Sequence, residues 1–186
     1  ENNFDPYIDS LMDYPTIIGH MLGQPWENYN RLISIQVPYC INECWHCYLP
    51  TDLFKEKTLK ERTTELSARE IINKFYLQKK MDALAGKKTN VLRITGGEPF
   101  QLPSLILRCL EILEEDKKSN FNNIPELKDI AETDDIEEYK NIFVWTETNL
   151  TPFISYNREL AFMDKPSNIQ ILKDLSKFKN FLIHPC

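Results

Sequence analysis

Three cysteines lie within eight residues of one another, at Cys40, Cys44 and Cys47 in the stretch VPYCINECWHCYLP. Their C-x3-C-x2-C spacing brings together thiolates, which are ligands for zinc or for an iron–sulfur cluster. A 4Fe–4S cluster has four irons, so three thiolates would leave one iron without a protein ligand. By analogy with catalytic zinc, an open coordination position indicates a site that holds a substrate or a cofactor.

A zinc site is the alternative. Structural zinc takes four ligands, usually from two short cysteine pairs, and this chain has a single C-x2-C pair with one further cysteine beside it. His46 lies between two of the cysteines and would close a very small ring if it joined them on one ion. A zinc site completed by His46 or by a distant group is therefore kept as the alternative to an iron–sulfur cluster.

Strands and helices alternate around these residues. Short, largely apolar runs predict strands at 31–37, 91–95, 141–150 and 180–185. Ser67 and Glu70 form a predicted capping box for a helix that ends near Gly86. Further helices are expected at 102–116, with an apolar stripe, and around 168–177. We expect a loop-rich lead-in with one short helix at 8–13, and a polar surface excursion over 116–140.

This alternation predicts an α/β fold with a parallel sheet and right-handed crossovers. Ligands of such folds lie beyond the carboxyl ends of the strands. The distinctive residues of this chain follow the predicted strands, so we expect them to meet at one edge of the sheet. They are the three cysteines, then Gly96, Gly97, Glu98 and Pro99, then Glu147, Thr148 and Asn149, and finally His184, Pro185 and Cys186.

Two of these stretches carry a family resemblance. CINECWHC resembles the cysteine motif of radical S-adenosylmethionine (radical SAM) enzymes, and TGGEPF resembles the GGEP motif of the same family. One predicted helix separates them, as in that family. TETN, at the end of the third predicted strand, is similar to a family position near the SAM ribose or carboxylate.

The resemblance implies a ligand set. Cys40, Cys44 and Cys47 would bind three irons of a 4Fe–4S cluster, and the fourth iron would chelate the methionine part of SAM. The loop from Gly96 through Gly97 and Glu98 to Pro99 would meet the SAM amino group. The remaining expected cofactor contacts are Thr148, Asn149 and the backbone of His46.

The resemblance also implies the reaction. A flavodoxin- or ferredoxin-type donor would reduce the cluster, and the electron would cleave SAM to methionine and a 5′-deoxyadenosyl radical that abstracts hydrogen from a substrate. The substrate is unknown; a glycyl-radical protein, as for an activating enzyme, is one expectation. The alternative is a zinc- or cluster-binding module without catalysis, or a fragment of such an enzyme.

The expected division is a lead-in at 1–31 and a radical SAM core at 32–186. The family's partial (β/α) barrel commonly has six βα units, whereas about four are predicted here. We therefore expect a truncated barrel or one completed by another chain, and turnover by this chain alone depends on that completion.

The composition excludes several other classes of function. The net charge is −6, so no nucleic-acid partner is expected. No apolar run is long enough for a membrane span, and no signal peptide is visible. Clustered cysteines, odd in number, argue against a disulfide framework and for the cytoplasm. Cys109 lies on the apolar stripe of its helix and is expected to be an inert core thiol.

Overall fold

The computed structural model describes residues 7–8, 12–13, 30–37, 66–129, 134–148 and 168–185. Its strands are β1 (Tyr7–Ile8), β2 (Met12–Asp13), β3 (Asn30–Val37), β4 (Lys88–Gly96), β5 (Phe143–Thr148) and β6 (Phe181–Pro185). Its α-helices are α1 (Ala68–Leu84), α2 (Pro103–Lys118) and α3 (Asn168–Leu175). Short 3-10 helices occupy Pro99–Gln101, Pro125–Leu127 and Asp134–Lys140.

The four longer strands form a parallel sheet in the order β3-β4-β5-β6. The predicted α/β class and parallel sheet are therefore confirmed. Val37 pairs with Gly96, and Thr148 pairs with Pro185. The carboxyl ends of β3, β4, β5 and β6 thus lie along one edge of the sheet.

The lead-in contributes strands where a helix was expected. β1 and β2 pair antiparallel with β3, so Ile8, Met12 and Asp13 are strand residues and not part of a helix, as was predicted over 8–13. Pairing with the edge of β3 satisfies backbone groups that a short, uncapped helix would leave open. Residues of the predicted 1–31 segment therefore belong to the same sheet as the core.

The two faces of the sheet differ in chemistry. The helix face is the surface on which the helices pack, and its side chains are mainly aliphatic because they join the main core: Ile33, Ile35, Leu92, Ile94 and Val144. The polar face is the opposite surface of the same strands. It carries Ser34, Arg93 and Trp145 in one cross-strand row, and Gln36, Thr95, Glu147 and His184 in the next row toward the carboxyl ends.

The helices begin and pack largely as predicted. Ser67 accepts a hydrogen bond from the Glu70 amide, and the Glu70 carboxylate accepts one from the Ser67 amide at 2.7 Å, which confirms the capping box. All members of the predicted stripe near α2 are buried: Leu102, Leu105, Ile106, Cys109, Leu110 and Leu113. This stripe fixes which side of α2 faces the core.

The segment after α2 is less exposed than predicted. It does contain helical turns, at Pro125–Leu127 and Asp134–Lys140. However, its apolar side chains are buried against α1 and the rest of the core: Phe121, Ile124, Leu127, Ile136 and Tyr139. Their irregular spacing in a mostly acidic segment gives no periodic signal, so the expectation of a surface excursion was wrong for these residues.

Candidate functional site

Gly96 ends β4 at a point where no side chain fits. Its φ is +99°, and a Cβ there would lie 2.8 Å from the Gln36 Cβ and 2.9 Å from the Val37 backbone nitrogen and oxygen. A left-handed conformation together with this close approach requires glycine. The chain can therefore turn sharply against the end of β3 at this point.

Gly97 ties this turn to the neighbouring strand. Its amide donates a hydrogen bond to the Val37 carbonyl at 2.8 Å. Val37 is the last residue of β3 and stands three positions before Cys40 in the chain. The bond therefore holds the Gly96–Pro99 loop against the point from which the cysteine segment departs.

Glu98 is buried and organises the same loop. One of its carboxylate oxygens accepts hydrogen bonds from the Phe100 amide at 3.0 Å and from the Thr148 hydroxyl at 2.5 Å. The first bond caps the 3-10 helix Pro99–Gln101. The second joins the end of β5 to the loop after β4. Two predicted cofactor contacts, Glu98 and Thr148, thus meet directly across 50 residues of sequence.

A charged group lies beside this edge on the polar face. Arg93 forms an ion pair with Glu147, and the Thr95 hydroxyl donates to the same Glu147 carboxylate at 3.1 Å. The Arg93 guanidinium also lies 5.3 Å from the centre of the Trp145 ring, within range of a cation–π contact. These contacts hold a cation, a carboxylate and an aromatic ring together at the strand ends.

His184 lies next to this group on β6. It pairs with Glu147 across the strands, and its ring is 6.2 Å from the Trp145 ring in an edge-on arrangement. The expected convergence of Glu147 and His184 on one edge of the sheet is therefore confirmed.

Arg93 and Thr95 were not among the residues that the sequence predicted at this edge of the sheet. A signal was available, because a charged residue stood in the middle of a predicted buried strand, and such a residue needs a partner. The partner is 54 positions away on another strand, so the sequence alone did not identify it.

Several predicted site residues lie outside the described part of the chain. They are Cys40, Cys44, Cys47, His46, Asn149 and Cys186. Within the described ranges, no three His, Cys, Asp or Glu side chains come together as a metal site. The metal ligands therefore stay a prediction from the sequence.

Cys109 differs from the clustered cysteines in its surroundings. It is fully buried in the main core, and burial raises the pKa of its thiol to about 12. A thiol with so little thiolate is a poor nucleophile and metal ligand. This agrees with its expected role as an inert core residue.

A cavity of about 780 Å³ lies at the opposite, amino-terminal edge of β5 and β6. Its walls mix lysines with glutamates on α2 and the neighbouring turns, including Lys117, Lys140 and Glu114. Lys140 is paired with Glu137, and Lys177 is paired with Asp174. This cavity lies away from the residues with site chemistry, which are at the carboxyl edge.

Comparison of the chain with models of protein families, with curated proteins and with solved structures finds no match. Support for a function of this chain therefore comes from its motifs and from the geometry of this site. In the described residues, no helix is long and apolar enough to cross a membrane.

Proposed function

We propose that this chain is a radical SAM enzyme, in which Cys40, Cys44 and Cys47 hold a 4Fe–4S cluster and the Gly96–Pro99 loop binds SAM beside it. The four parallel strands are then part of a partial (β/α) barrel of that family. The finer proposals are a flavodoxin- or ferredoxin-type electron donor and a protein substrate of the glycyl-radical kind.

The observation that carries the proposal is the hydrogen bond from the Gly97 amide to the Val37 carbonyl. It joins the two segments that resemble the family motifs, although about 60 residues separate Val37 from Gly97 in the chain. A cluster held after β3 and a cofactor held after β4 have to be neighbours for an electron to pass between them. The bond places the starting points of the two loops side by side.

The donor set at this edge suits SAM. An ammonium group calls for a carboxylate, which Glu98 supplies, and ribose hydroxyls call for polar side chains such as Thr148 and Asn149. The amino and carboxylate groups of SAM can approach the backbone closely at two consecutive glycines. When bound, the cluster and SAM supply one-electron chemistry that removes a hydrogen atom from the substrate.

The protein's own contribution is placement. Glu98 and Thr148 lock the loop after β4 to the end of β5, and Gly96 lets that loop turn against β3. Glu147 and Arg93 form an ion pair on the adjacent polar face.

The first experiment measures metal content and SAM cleavage in anaerobically purified protein. After reconstitution we expect a brown protein with about four irons per chain, and release of 5′-deoxyadenosine with dithionite and SAM. Cys44→Ala should lose both. Cys109→Ala is the matched control, since its thiol is buried in the core, and it should retain both.

Other outcomes identify the alternatives. A colourless protein with one zinc per chain would overturn the proposal in favour of a zinc module. A brown protein that binds four irons but leaves SAM intact would show that the chain needs a completing segment or partner for turnover.

A second experiment separates the two contributions of Glu98. Glu98→Gln keeps the acceptor oxygen for Phe100 and Thr148, so the fold should be retained within a few degrees of melting temperature. SAM binding should weaken, because the charge opposite the ammonium is lost. Unchanged SAM binding would show that Glu98 only shapes the loop.

A further inference from the structure

The polar face contains two buried neutral groups that lack hydrogen-bond partners. The Ser34 side chain and the Trp145 side chain belong to residues only 1% and 3% exposed. Within the described residues, neither the Ser34 hydroxyl nor the Trp145 indole N–H has a hydrogen-bond partner. Folded proteins pair most buried polar groups, because an unpaired one loses its water without compensation. Two such groups on one surface call for an explanation.

These two groups belong to one row of the sheet. Ser34 on β3 pairs with Arg93 on β4, and Arg93 pairs with Trp145 on β5. Parallel strands lie about 4.8 Å apart, so the row extends over roughly 10 Å. Arg93 stands between the two unpartnered groups, with its guanidinium beside the indole ring. The two unpartnered groups are therefore no farther apart than the length of a single small molecule.

The charges of this row are already balanced. Arg93 is paired with Glu147, whose carboxylate also accepts from Thr95. An anionic ligand would add an uncompensated charge to a buried site, which is costly. Two neutral groups of the row remain to be satisfied: an indole N–H, which only donates, and a hydroxyl, which donates or accepts. An amide group matches both, since it offers an acceptor oxygen and an N–H donor.

The next layer of the same face is apolar. Leu32, Val91 and Phe143 form the neighbouring row toward the amino ends of the strands, and Leu182 pairs with Trp145 in the same row. A ligand that places an amide on Ser34 and Trp145 can therefore rest an aliphatic part on carbon. A few polar groups beside apolar side chains are typical of the lining of small-molecule sites.

We propose that Ser34, Arg93 and Trp145 form a binding site for a short peptide, recognised through an uncharged amide group. The indole N–H of Trp145 donates to an amide oxygen, and the Ser34 hydroxyl bonds the adjacent amide. The site rests on the geometry of the sheet alone. Its interpretation as the place where the substrate lies rests on the proposed function.

The test uses the full chain with ¹⁵N-labelled tryptophan. It contains three tryptophans, and Trp145→Phe identifies the indole signal of Trp145. The probe is N-acetylalaninamide, which has two amides and no charge. Its matched control is N-acetylalanine, whose carboxylate is ionised at neutral pH. We expect a saturable downfield shift of the Trp145 N–H with the amide probe, and at least several-fold weaker binding of the carboxylate.

Ser34→Ala provides the second arm. Removal of the hydroxyl should weaken binding of the amide probe about 2- to 10-fold, which is the effect of one hydrogen bond. The melting temperature of the free protein should stay the same or rise, because an unpaired buried hydroxyl is removed. Ser176→Ala, an exposed serine that bonds the Lys173 carbonyl after α3, should change neither value.

Three results would overturn the proposal. They are the absence of a saturable Trp145 shift with the amide probe, equal or tighter binding of the carboxylate, and full affinity of the Ser34→Ala protein. The assay needs neither iron nor SAM, so its outcome is independent of the cleavage assay above. A positive result without SAM cleavage would establish the peptide site independently of the proposed SAM chemistry.

Discussion

The two faces of the sheet use the same strands for different purposes. On β4, Leu92 and Ile94 are buried under the helices, while Arg93 and Thr95, their immediate neighbours, carry charge and hydroxyl groups on the polar face. Aliphatic burial stabilises a fold in proportion to area. Buried polar groups add little net stability, so the two faces are expected to contribute unequally to the stability of the fold.

A cation is also buried on each side of the sheet, and the two cations have different kinds of partner. Arg93 on the polar face has a carboxylate partner in Glu147. Lys79 of α1 has neutral acceptors, the Thr89 carbonyl at 2.8 Å and the Asn90 side-chain oxygen at 2.6 Å, and lies over the Tyr139 ring. Desolvation therefore lowers the pKa of Lys79 to about 8. The positive charge on the helix side is thus bound by neutral acceptors, whereas the positive charge on the polar face is paired with a carboxylate.

The largest expected difference is between neighbouring residues of β4. Ile94→Ala should reduce the free energy of unfolding by about 2–5 kcal/mol, because it leaves a cavity in the main core. Thr95→Ala should cost about 1 kcal/mol, since it removes one hydrogen bond to Glu147. Urea denaturation measures both. Equal losses would show that the two faces contribute alike to stability.

Substitutions of two glycines with positive φ, Gly96 and Gly86, test whether the end of β4 requires a glycine. Gly96→Ala should destabilise the protein by about 2–3 kcal/mol, because the new Cβ meets the Val37 backbone. Gly86 also has a positive φ, but nothing lies within 4 Å of a Cβ there, so Gly86→Ala should cost only about 1 kcal/mol. Chemical denaturation gives the difference. If the two losses agree, the contact between β3 and β4 does not require a glycine.

The lowered pKa of Lys79 predicts that the free energy of unfolding rises with pH. Its pKa is about 8 in the folded state, against an ordinary value of 10.5, so the unfolded chain binds more protons between these values. The free energy of unfolding should therefore increase from pH 8 to 9.5, by roughly 1–2 kcal/mol from this group.

The control is Lys79→Met, which cannot titrate. Other groups near Lys79, among them Asp82, Glu138 and Lys88, remain in both proteins and cancel in the difference. The free energy of unfolding of the wild type, measured relative to that of Lys79→Met, should increase across this pH range. A constant difference would mean that Lys79 keeps an ordinary pKa.

The smallest expected effect concerns a hydroxyl between the helices. Tyr76 donates to Asp116 at 3.0 Å, and Arg69 binds the same carboxylate through two bonds of 2.7 and 2.8 Å. Tyr76→Phe should cost about 1 kcal/mol, because Asp116 keeps Arg69. It should leave SAM and peptide binding unchanged, since it lies on the helix side of the sheet. Tyr139→Phe, in the same aromatic group, is the matched control and should cost less.

The local elements of this fold could be read from the sequence. The capping box at Ser67 and the apolar stripe of α2 are spaced by helical geometry, and β-branched runs mark the strands. The motifs around Cys40 and Gly96 could be found in the same way, because their spacing lies within a few residues. Their metal and cofactor roles stay predictions.

Contacts across the sheet could not be read in this way. Glu98 meets Thr148, and Arg93 meets Glu147, over separations of 50 and 54 residues. Likewise, β1 and β2 formed against the edge of β3, where local pattern favoured a helix. No local period encodes which distant residue lies opposite.

By itself, then, the amino-acid order determined which segments of the core form strands and helices, because that depends on neighbours one to four positions away. The tertiary structure decided which alternate residues face the helices and which form the polar face. The physical reason is that register between strands is set by the packing of the whole sheet. Only that packing brings Ser34, Arg93 and Trp145 into one row.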